Sequence, residues 1–233
     1  MTLSHFFLLA TTQPQDRNII RILSNAFKDN QRMRVLIGNK KKGFHKCIRV
    51  VISFCYLMVK KWNGIFITAD KNTYLLYYQK NEYRFSAYDL LHYLYMAFFV
   101  IGILRLPMVF KREKKVKQTR HLQVQKKRDH DYLYVWFLAN KENFRGMNGL
   151  VEVKNFLLKK SSELNVPVYI ETTDERLLSM YQRAGFEFYH EMYDEDADIK
   201  IWFGRLQAPS KTKWKDALVK NLATYRKRHF SNN

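Results

Sequence analysis

The sequence predicts an α/β fold around one mixed sheet, parallel in the middle and antiparallel at both ends. A strand, a helix and a second strand follow closely between Asp131 and Glu171. Such a βαβ unit requires parallel strands and a right-handed crossover. Two β-rich runs flank a turn before this unit, and two more follow it, so each pair predicts an antiparallel hairpin.

One domain accounts for most of the chain. The 233 residues, of which 47% are hydrophobic and 15% aromatic, are enough for a single well-filled core. We expect this domain to cover residues 1–206, with a helical insertion at about 86–120. A basic tail, residues 207–233, follows it.

The chain is strongly basic, with 41 Lys and Arg against 21 Asp and Glu and a net charge of +20. This charge favours an anionic partner, which would be nucleic acid, a membrane surface, or a phosphorylated cofactor or substrate. The alternative is a solvated basic surface without a specific partner. The balance of charge alone does not separate these possibilities.

The two cysteines predict a reducing compartment. Cys47 and Cys55 lie in one apolar segment, without the spacing of a disulfide framework or a zinc site. We therefore expect two buried free thiols and no metal. The first residues lack the basic region and long apolar run of a signal peptide, so we expect a cytoplasmic protein.

The first part of the chain predicts helices and a hairpin from its apolar periodicity. An apolar run at residues 1–10 suggests a short strand or a frayed terminus. Two amphipathic helices and the hairpin strands follow, in the order Asp16–Asn30, Lys42–Lys61, Gly64–Thr68 and Tyr74–Tyr78.

The most hydrophobic stretch is Tyr88–Phe110. It is long enough to span a membrane, but Arg105 and Pro107 interrupt it, so we predict a buried or interfacial helix. Lys111–Arg128 follows with nine basic residues and one acid, Glu113. We predict a solvated helix end and loop; the alternative is contact with anionic lipid headgroups or nucleic acid. Aromatic residues do not interleave the basic ones, which disfavours nucleic acid.

The βαβ unit begins with the strand Tyr132–Ala139, which is apolar on both faces. A polar turn containing Gly146 leads into a helix that begins at Gly149, and the strand Val166–Glu171 follows. A helix amino end with a nearby glycine can bind phosphate, because its backbone N–H groups are unpaired. The alternative is a glycine kept for packing.

The last part of the domain predicts a short helix and a hairpin. The helix starts near Leu177 and ends at Gly185, which suits a left-handed residue after a helix. The strands Phe186–Met192 and Ile199–Leu206 should pair antiparallel around an acidic turn. Lys213–Phe230 predicts a short basic helix.

Two segments resemble a known family. Leu177–Phe186, LLSMYQRAGF, is similar to the LYxKxGF segment of the GNAT superfamily of acetyl-CoA-dependent N-acetyltransferases. Arg145–Leu150, RGMNGL, stands where that family has its pyrophosphate loop, R-G-x-G-x-G/A. The resemblance is good in order and spacing over about a quarter of the chain. It implies a fold in which two adjacent parallel strands splay apart and admit the pantetheine arm of acetyl-CoA.

The resemblance also implies roles for individual residues. The backbone of one strand segment would pair with the pantetheine amides, and the loop would hold the pyrophosphate; these cofactor-binding residues are Phe137, Leu138, Ala139, Arg145, Gly146, Met147, Asn148 and Gly149. Tyr181 would protonate the departing thiolate, and Glu171 is the candidate general base. The alternatives are a core-packing tyrosine and a surface carboxylate paired with Arg183 or Lys159.

The implied reaction is direct transfer of an acetyl group from acetyl-CoA to a primary amine of a small molecule or peptide, within a ternary complex. Asn148 and Leu150 replace the second and third glycines of the loop pattern, and Leu177 stands where the family often has asparagine. These departures leave open a non-catalytic CoA-binding module. A third possibility is a basic protein of membrane surfaces or nucleic acid. The acceptor and the oligomeric state are not encoded in any recognisable motif.

Overall fold

Six strands form one mixed sheet in the computed structural model, which describes residues 13–38, 43–84, 86–141 and 148–209. The strands are β1 (Ile65–Ile67), β2 (Thr73–Gln79), β3 (Leu133–Asn140), β4 (Val168–Thr172), β5 (Glu187–Asp194) and β6 (Ile199–Leu206). Their order across the sheet is β1-β2-β3-β4-β6-β5. Only β3 and β4 are parallel, and all other neighbours are antiparallel. The predicted fold class is confirmed.

Seven α-helices cover the sheet within the described ranges. They are α1 (Pro14–Ala26), α2 (Gln31–Ile37), α3 (Phe44–Lys61), α4 (Ala87–Tyr95), α5 (Leu106–Lys127), α6 (Asn148–Leu164) and α7 (Leu178–Arg183). A π-helical turn, Met96–Ile101, continues α4. Short 3-10 turns occupy Lys80–Glu82, Ile103–Arg105 and Glu175–Leu177.

The sheet separates two apolar clusters. The larger cluster joins α1, α2 and α3 to one face, with fully buried side chains such as Leu23, Ile52 and Leu76. The other face packs against α6 through residues such as Val153 and Leu157. The right-handed connection from β3 through α6 to β4 therefore puts its helix opposite the amino-terminal helices.

The first predicted helix is too long, and one helix was not predicted. The structure ends α1 at Ala26 and begins a separate α2 at Gln31. The reason is local, because the side chain of Asn30 accepts a hydrogen bond from the backbone N–H of Met33 at 3.1 Å. Asparagine at this position caps a new helix and ends the preceding pattern.

The prediction for the hydrophobic stretch and the basic run after it was wrong in two respects. Tyr88–Phe110 is not one helix, because the chain turns at Gly102, whose φ is +89°. Lys111–Arg128 is not a helix end and loop, because α5 continues to Lys127. A buried stripe that includes Val116 and Val124 holds α5 on the domain.

The predicted glycine stop at Gly185 is confirmed, and the prediction of two buried thiols holds for one of them. Gly185 has a φ of +100°, and the N–H of Phe186 donates to the carbonyl of Tyr181 at 3.0 Å, which closes a Schellman motif after α7. Cys55 is a buried free thiol, whereas Cys47 is only half-buried. The apolar run at residues 1–10 and the predicted helix Lys213–Phe230 lie outside the described residues.

A buried carboxylate joins α1 to α3. Asp16 accepts hydrogen bonds from the Tyr56 hydroxyl at 2.6 Å and from Lys60 Nζ at 2.7 Å. Burial opposes the ionised form, but these two donors outweigh it and lower the pKa of Asp16. Burial and the neighbouring carboxylate raise the pKa of Tyr56, which stays protonated as a donor.

We expect Asp16→Asn to reduce the free energy of unfolding by about 1.5–3 kcal/mol at neutral pH, since a charge-assisted buried contact is lost. A folded-state pKa below the unfolded one stabilises the fold above pH about 4, and this contribution disappears as the pH falls through the folded-state value. The difference in the free energy of unfolding between the wild type and Asp16→Asn should therefore become smaller at acid pH. Urea unfolding from neutral pH to about pH 3 measures it.

Asp29→Asn is the matched control, because Asp29 pairs with Arg34 on the surface and both side chains are more than half exposed. It should change the free energy of unfolding by less than about 0.5 kcal/mol. An Asp16→Asn protein as stable as this control would contradict the assigned role of the buried carboxylate.

Candidate functional site

The two central parallel strands pair over only two positions. Leu133 is opposite Val168 and Tyr134 is opposite Tyr169, and no later residue of β3 pairs with β4 although both strands are fully described. On its other edge, β3 stays paired with β2 as far as Asn140. One edge of β3 is thus left without a strand partner in the middle of the sheet, and we call this opening the β3–β4 gap.

A β-bulge lies next to the β3–β4 gap. Tyr77 of β2 is opposite Val135, and Leu76 is opposite Phe137, so Trp136 is an extra residue in β3. The side chains of Trp136 and Phe137 consequently pack on the same face of the sheet. Bulges re-aim a strand and are common beside active sites.

The three predicted strand residues line the far part of β3, beyond the bulge. The side chains of Phe137 and Ala139 belong to the cluster around α1 and α3, and Phe27 meets Phe137 edge-on with ring centroids 5.0 Å apart. Leu138 faces the opposite cluster, around α6. Their backbone groups toward β4 are therefore at the gap, while their side chains anchor the strand on both faces.

The predicted phosphate loop is described only in part. Arg145, Gly146 and Met147 lie outside the described residues, whereas Asn148 and Gly149 form the exposed start and buried second residue of α6. A Cβ added at Gly149 would lie 1.9 Å from Thr73 Oγ1, so only glycine fits there.

Thr73 also connects the start of α6 to the end of β3. Its hydroxyl donates to Asn140 Oδ1 at 2.9 Å, and Gly149 packs directly on it. The positive amino end of α6 therefore lies beside the carboxyl end of β3. The contact with Thr73 gives a packing reason for the glycine at position 149. This agrees with the alternative interpretation, in which the glycine is kept for packing rather than for phosphate binding.

Tyr181 is half-buried on α7. Its ring contacts Phe186 and Phe188, both edge-on, with centroids 5.7 and 6.5 Å away. Burial, with a smaller contribution from Asp174, raises the pKa of Tyr181 to about 12. The phenol therefore holds its proton at neutral pH. Its packing belongs to the same apolar cluster as Leu138.

Glu171 is buried rather than on the surface. Only 1% of its side chain is exposed, and it accepts hydrogen bonds from Arg120 Nη1 at 2.5 Å and Arg32 Nη1 at 3.0 Å. The alternative partners considered from the sequence, Arg183 and Lys159, bond elsewhere. Each oxygen of the Glu171 carboxylate, beside the β3–β4 gap, thus accepts a hydrogen bond from one guanidinium group.

The arginines extend this contact into a network across three elements. Arg32 of α2 also bonds Glu113 of α5 at 3.1 Å, and the Arg120 guanidinium lies 4.3 Å from the centre of the Tyr134 ring. Burial works against the charged form of Arg32, but Glu113 and Glu171 outweigh it and raise its pKa. We call Arg32, Glu113, Arg120 and Glu171 the arginine network.

The two predicted catalytic residues lie on opposite faces of the sheet. Ile170 packs with the α6 cluster that Tyr181 joins. Glu171, the next residue of the strand, points to the other face, because side chains alternate along a strand. Tyr181 packs on Phe186 and Phe188 on one side of the sheet, whereas Glu171 lies beside the β3–β4 gap on the other.

Sequence reasoning missed the arginine network, although one signal was present. Val109, Val116 and Val124 recur at helical spacing through the basic run, and Arg112 and Arg120 fall on the same stripe. That position predicts buried arginines, each of which needs an acidic or aromatic partner. Arg32 has no comparable signal, since its partners are distant in sequence.

Comparisons with known proteins identify the fold. No protein-family model and no curated protein matches the chain. Among solved structures, an agmatine N-acetyltransferase mutant in its apo form is 10% identical, with 84% of this chain and 96% of that chain covered and a TM-score of 0.53. A histone acetyltransferase HPA2 and related acetyltransferase from Corynebacterium glutamicum is 14% identical, covering 88% and 97%, with a TM-score of 0.53.

A mosquito arylalkylamine N-acetyltransferase like 5b is similar at 12% identity, with 84% of this chain and 97% of that chain covered and a TM-score of 0.51. These three are GNAT-fold acetyltransferases. The chain therefore has the GNAT fold, with the six-stranded mixed sheet expected of it. At sequence identities of 10–14%, the similarity shows the fold alone.

Removal of the buried acid from the arginine network should destabilise the fold. We expect Glu171→Gln to lower the free energy of unfolding by about 3–5 kcal/mol, because it leaves the buried guanidinium of Arg120 uncompensated. The double variant Glu171→Gln/Arg120→Met should lose less than the sum of the single losses, since it removes both charges. Urea unfolding of all four proteins of the cycle gives the coupling energy.

The surface pair Lys159 and Glu163 provides the control, because its atoms are 3.9 Å apart and both side chains are more than half exposed. Glu163→Gln should cost no more than about 0.5 kcal/mol. A Glu171→Gln loss as small as this one would show that the network is not a structural support.

Proposed function

We propose that the protein is a GNAT-type N-acetyltransferase that moves an acetyl group from acetyl-CoA to an amine. The observation that carries the proposal is the β3–β4 gap, where two adjacent parallel strands part after Tyr134. Unpaired backbone groups in the middle of a sheet are costly unless a ligand or water satisfies them. The pantetheine arm, with its two amides, is a ligand of suitable shape and hydrogen-bonding capacity.

The residues at the gap fit such a donor. Backbone groups of Phe137, Leu138 and Ala139 would pair with the pantetheine amides along the free edge of β3. A fixed N–H on this edge would polarise the thioester carbonyl and stabilise the charge that develops on its oxygen. The donor supplies an activated acetyl group whose leaving group is a thiolate.

The start of α6 would hold the phosphates. Thr73 places this helix end beside the end of β3, so one extended ligand can reach both. Asn148 and Gly149 offer backbone N–H groups at the positive end of the helix. Arg145, Gly146 and Met147 would complete the binding loop, as the resemblance implies.

Tyr181 would act as the general acid. Its pKa of about 12 keeps the phenol protonated at neutral pH, so it has a proton to donate to the departing thiolate. Because its ring packs in the same cluster as Leu138, it lies on the side of the sheet from which α6 approaches. The donor and the acid would thus share one face.

The acceptor amine would enter from the opposite face, where the arginine network lies. Glu171 remains the candidate base by position, but its carboxylate would first have to release one of its arginines. We therefore favour a role in which Glu171 positions Arg32 and Arg120, with a water chain taking the proton of the ammonium. Entry from two faces suits direct transfer within a ternary complex.

The names of the similar structures support an amine acceptor. They include an agmatine N-acetyltransferase and an arylalkylamine N-acetyltransferase like protein, and both names specify amines. The alternative function is a CoA-binding module without turnover. It rests on the replacement of the family's loop glycines by Asn148 and Leu150 and on Leu177 in place of asparagine.

Binding of the donor can be tested first. Acetyl-CoA should raise the thermal midpoint, because a ligand that binds only the folded state stabilises it by about 2.7 kcal/mol at a hundredfold excess over Kd. The shift should persist at moderate salt, since the pantetheine contacts, unlike those to the phosphates, are not ionic. Differential scanning fluorimetry at low and moderate salt measures it. No shift with acetyl-CoA or free CoA at either salt concentration would contradict the proposal.

Turnover separates the enzyme from the binding module. Tyr181→Phe should lower kcat by about 10²–10⁴-fold while the acetyl-CoA shift is retained, because only the proton donor is lost. With a pKa of about 12, wild-type activity should not decline through tyrosine ionisation between neutral pH and pH about 10. The release of the CoA thiol, assayed with a panel of amines, measures both the loss of kcat and the pH dependence.

Tyr193→Phe is the matched control, since that hydroxyl bonds Asp198 in the exposed β5–β6 hairpin. It should leave kcat unchanged. A Tyr181→Phe protein with full activity would eliminate the tyrosine as the acid, and acetyl-CoA binding without turnover on any amine would favour the non-catalytic module.

A further inference from the structure

The surface carries an apolar region that is unusual in its position and size. Eight of the thirteen large hydrophobic side chains that are exposed in the described residues lie within residues 90–110. We call them the apolar elbow: Leu90, Leu91, Leu94, Phe98, Phe99, Ile103, Leu104 and Phe110. Phe99 is 69% exposed and Leu104 is 95% exposed. Without a binding partner, these apolar side chains would lie in water. Contiguous exposed apolar surface of this kind marks an interaction site.

The outer side of α4 and its π-helical turn carries the first five residues of the apolar elbow, and this segment is also apolar on its inner side. Its inner side buries Met96, Ala97, Val100 and Ile101 in or near the core. A helix on the surface of a domain normally has a polar outer face. The outward leucines and phenylalanines therefore serve a contact outside the domain rather than the core.

The elbow is held in a fixed position. At its start, Asp89 closes a capping box with Ser86 and binds Lys61 Nζ at 2.7 Å. At its tip, Arg105 Nη2 donates to the carbonyl of Val35 at 2.6 Å, and Gly38 leaves the space that the guanidinium fills. The apolar side chains are thus presented on a rigid turn, which reduces the entropy lost on binding.

A basic surface continues directly from the apolar elbow. The exposed side of the first turns of α5 carries the lysines Lys111, Lys114, Lys115 and Lys117, which we call the lysine face. The one acid of this helix, Glu113, turns inward to Arg32. The exposed charged side chains of α5 are therefore all basic, next to the apolar elbow, and two of them, Lys111 and Lys115, line a surface pocket together with Asp194 and Asp196.

The most apolar region of the surface is bent rather than straight. Among the described residues no single helix has the length and apolar character to cross a bilayer, and the one pair that does so together, Asp89–Ile101 and Ile103–Lys127, is bent by 94°. The second arm carries the lysine face, which is costly to bury in hydrocarbon. Contact with the surface of a membrane needs no burial of these lysines.

We propose that the apolar elbow and the lysine face together dock the protein on an anionic lipid surface. The elbow would insert its leucine and phenylalanine side chains at the level of the headgroups, and the lysines would contact the anionic headgroups. This combination of apolar side chains with adjacent lysines is typical of interfacial binding. The proposal is independent of acetyl transfer, since no residue of the elbow belongs to the β3–β4 gap.

Vesicle co-sedimentation with the full chain tests the proposal. Vesicles of phosphatidylcholine with about 30% phosphatidylserine should bind at least about tenfold more protein than phosphatidylcholine alone, because each lysine near the surface adds about fivefold in affinity. Binding should weaken between about 0.1 and 1 M salt, over which the screening length shortens from about 10 to 3 Å.

Two variants separate the apolar and cationic contributions. Phe99→Ser/Leu104→Ser should reduce partitioning by at least about tenfold, since two large apolar groups no longer leave water. Lys111→Gln/Lys114→Gln/Lys115→Gln should reduce the preference for phosphatidylserine by at least about tenfold. Because all five side chains are exposed, the thermal midpoints should stay within a few degrees of the wild type.

Leu164→Ser is the control, because Leu164 is an exposed leucine at the end of α6, on a different element from the elbow. It should bind vesicles like the wild type. Absence of binding to anionic vesicles would overturn the proposal, and so would binding that Phe99→Ser/Leu104→Ser leaves unchanged. A dimer in gel filtration that this variant converts to monomer would show that a second copy covers the elbow, and would also overturn it.

Discussion

The burial of the Glu171 carboxylate where β3 and β4 separate is the constraint on which the centre of the molecule depends. A charge in that position needs compensation, and the two arginines that provide it come from α2 and α5. Both helices are thereby fixed to the central strands at the place where strand-to-strand hydrogen bonds stop. The arginine network therefore connects the elements at the place where backbone hydrogen bonds between β3 and β4 have ended.

This arrangement explains how an opening can exist inside a stable sheet. The apolar contacts of Phe137 and Leu138 hold β3 from both faces, so the strand keeps its position without β4. The bulge at Trp136 then turns the free edge of β3. A site built this way is preorganised, because its backbone groups are fixed before any ligand arrives.

Much of the fold could be predicted from periodicity and turn residues, since those signals are local. The β5–β6 hairpin and the glycine stop at Gly185 follow from adjacent residues, and the structure confirms both. The α2 helix depended on one capping side chain, Asn30, inside a longer amphipathic pattern. The length of α5 depended on a valine stripe that the many lysines obscured.

The candidate site was less predictable, because its geometry comes from contacts between distant segments. Tyr181 and the β3 residues follow from a family pattern, whereas the parting of two strands leaves no mark in the sequence. Glu171 looked like an accessible base, since nothing near it in sequence announces Arg32 or Arg120. A pairing over 139 residues is set by tertiary structure.

The departures from regular structure are themselves informative. Within a few residues the sheet combines an unpaired strand edge, a bulge and a buried carboxylate, and each of these costs stability. Natural sequences keep such departures mainly where function requires them. The apolar elbow is a second departure from regular structure. It lies on the surface, where a solvent-exposed face would normally carry polar side chains at Phe99 and Leu104. The two proposals correspond to these two places, the β3–β4 gap and the apolar elbow.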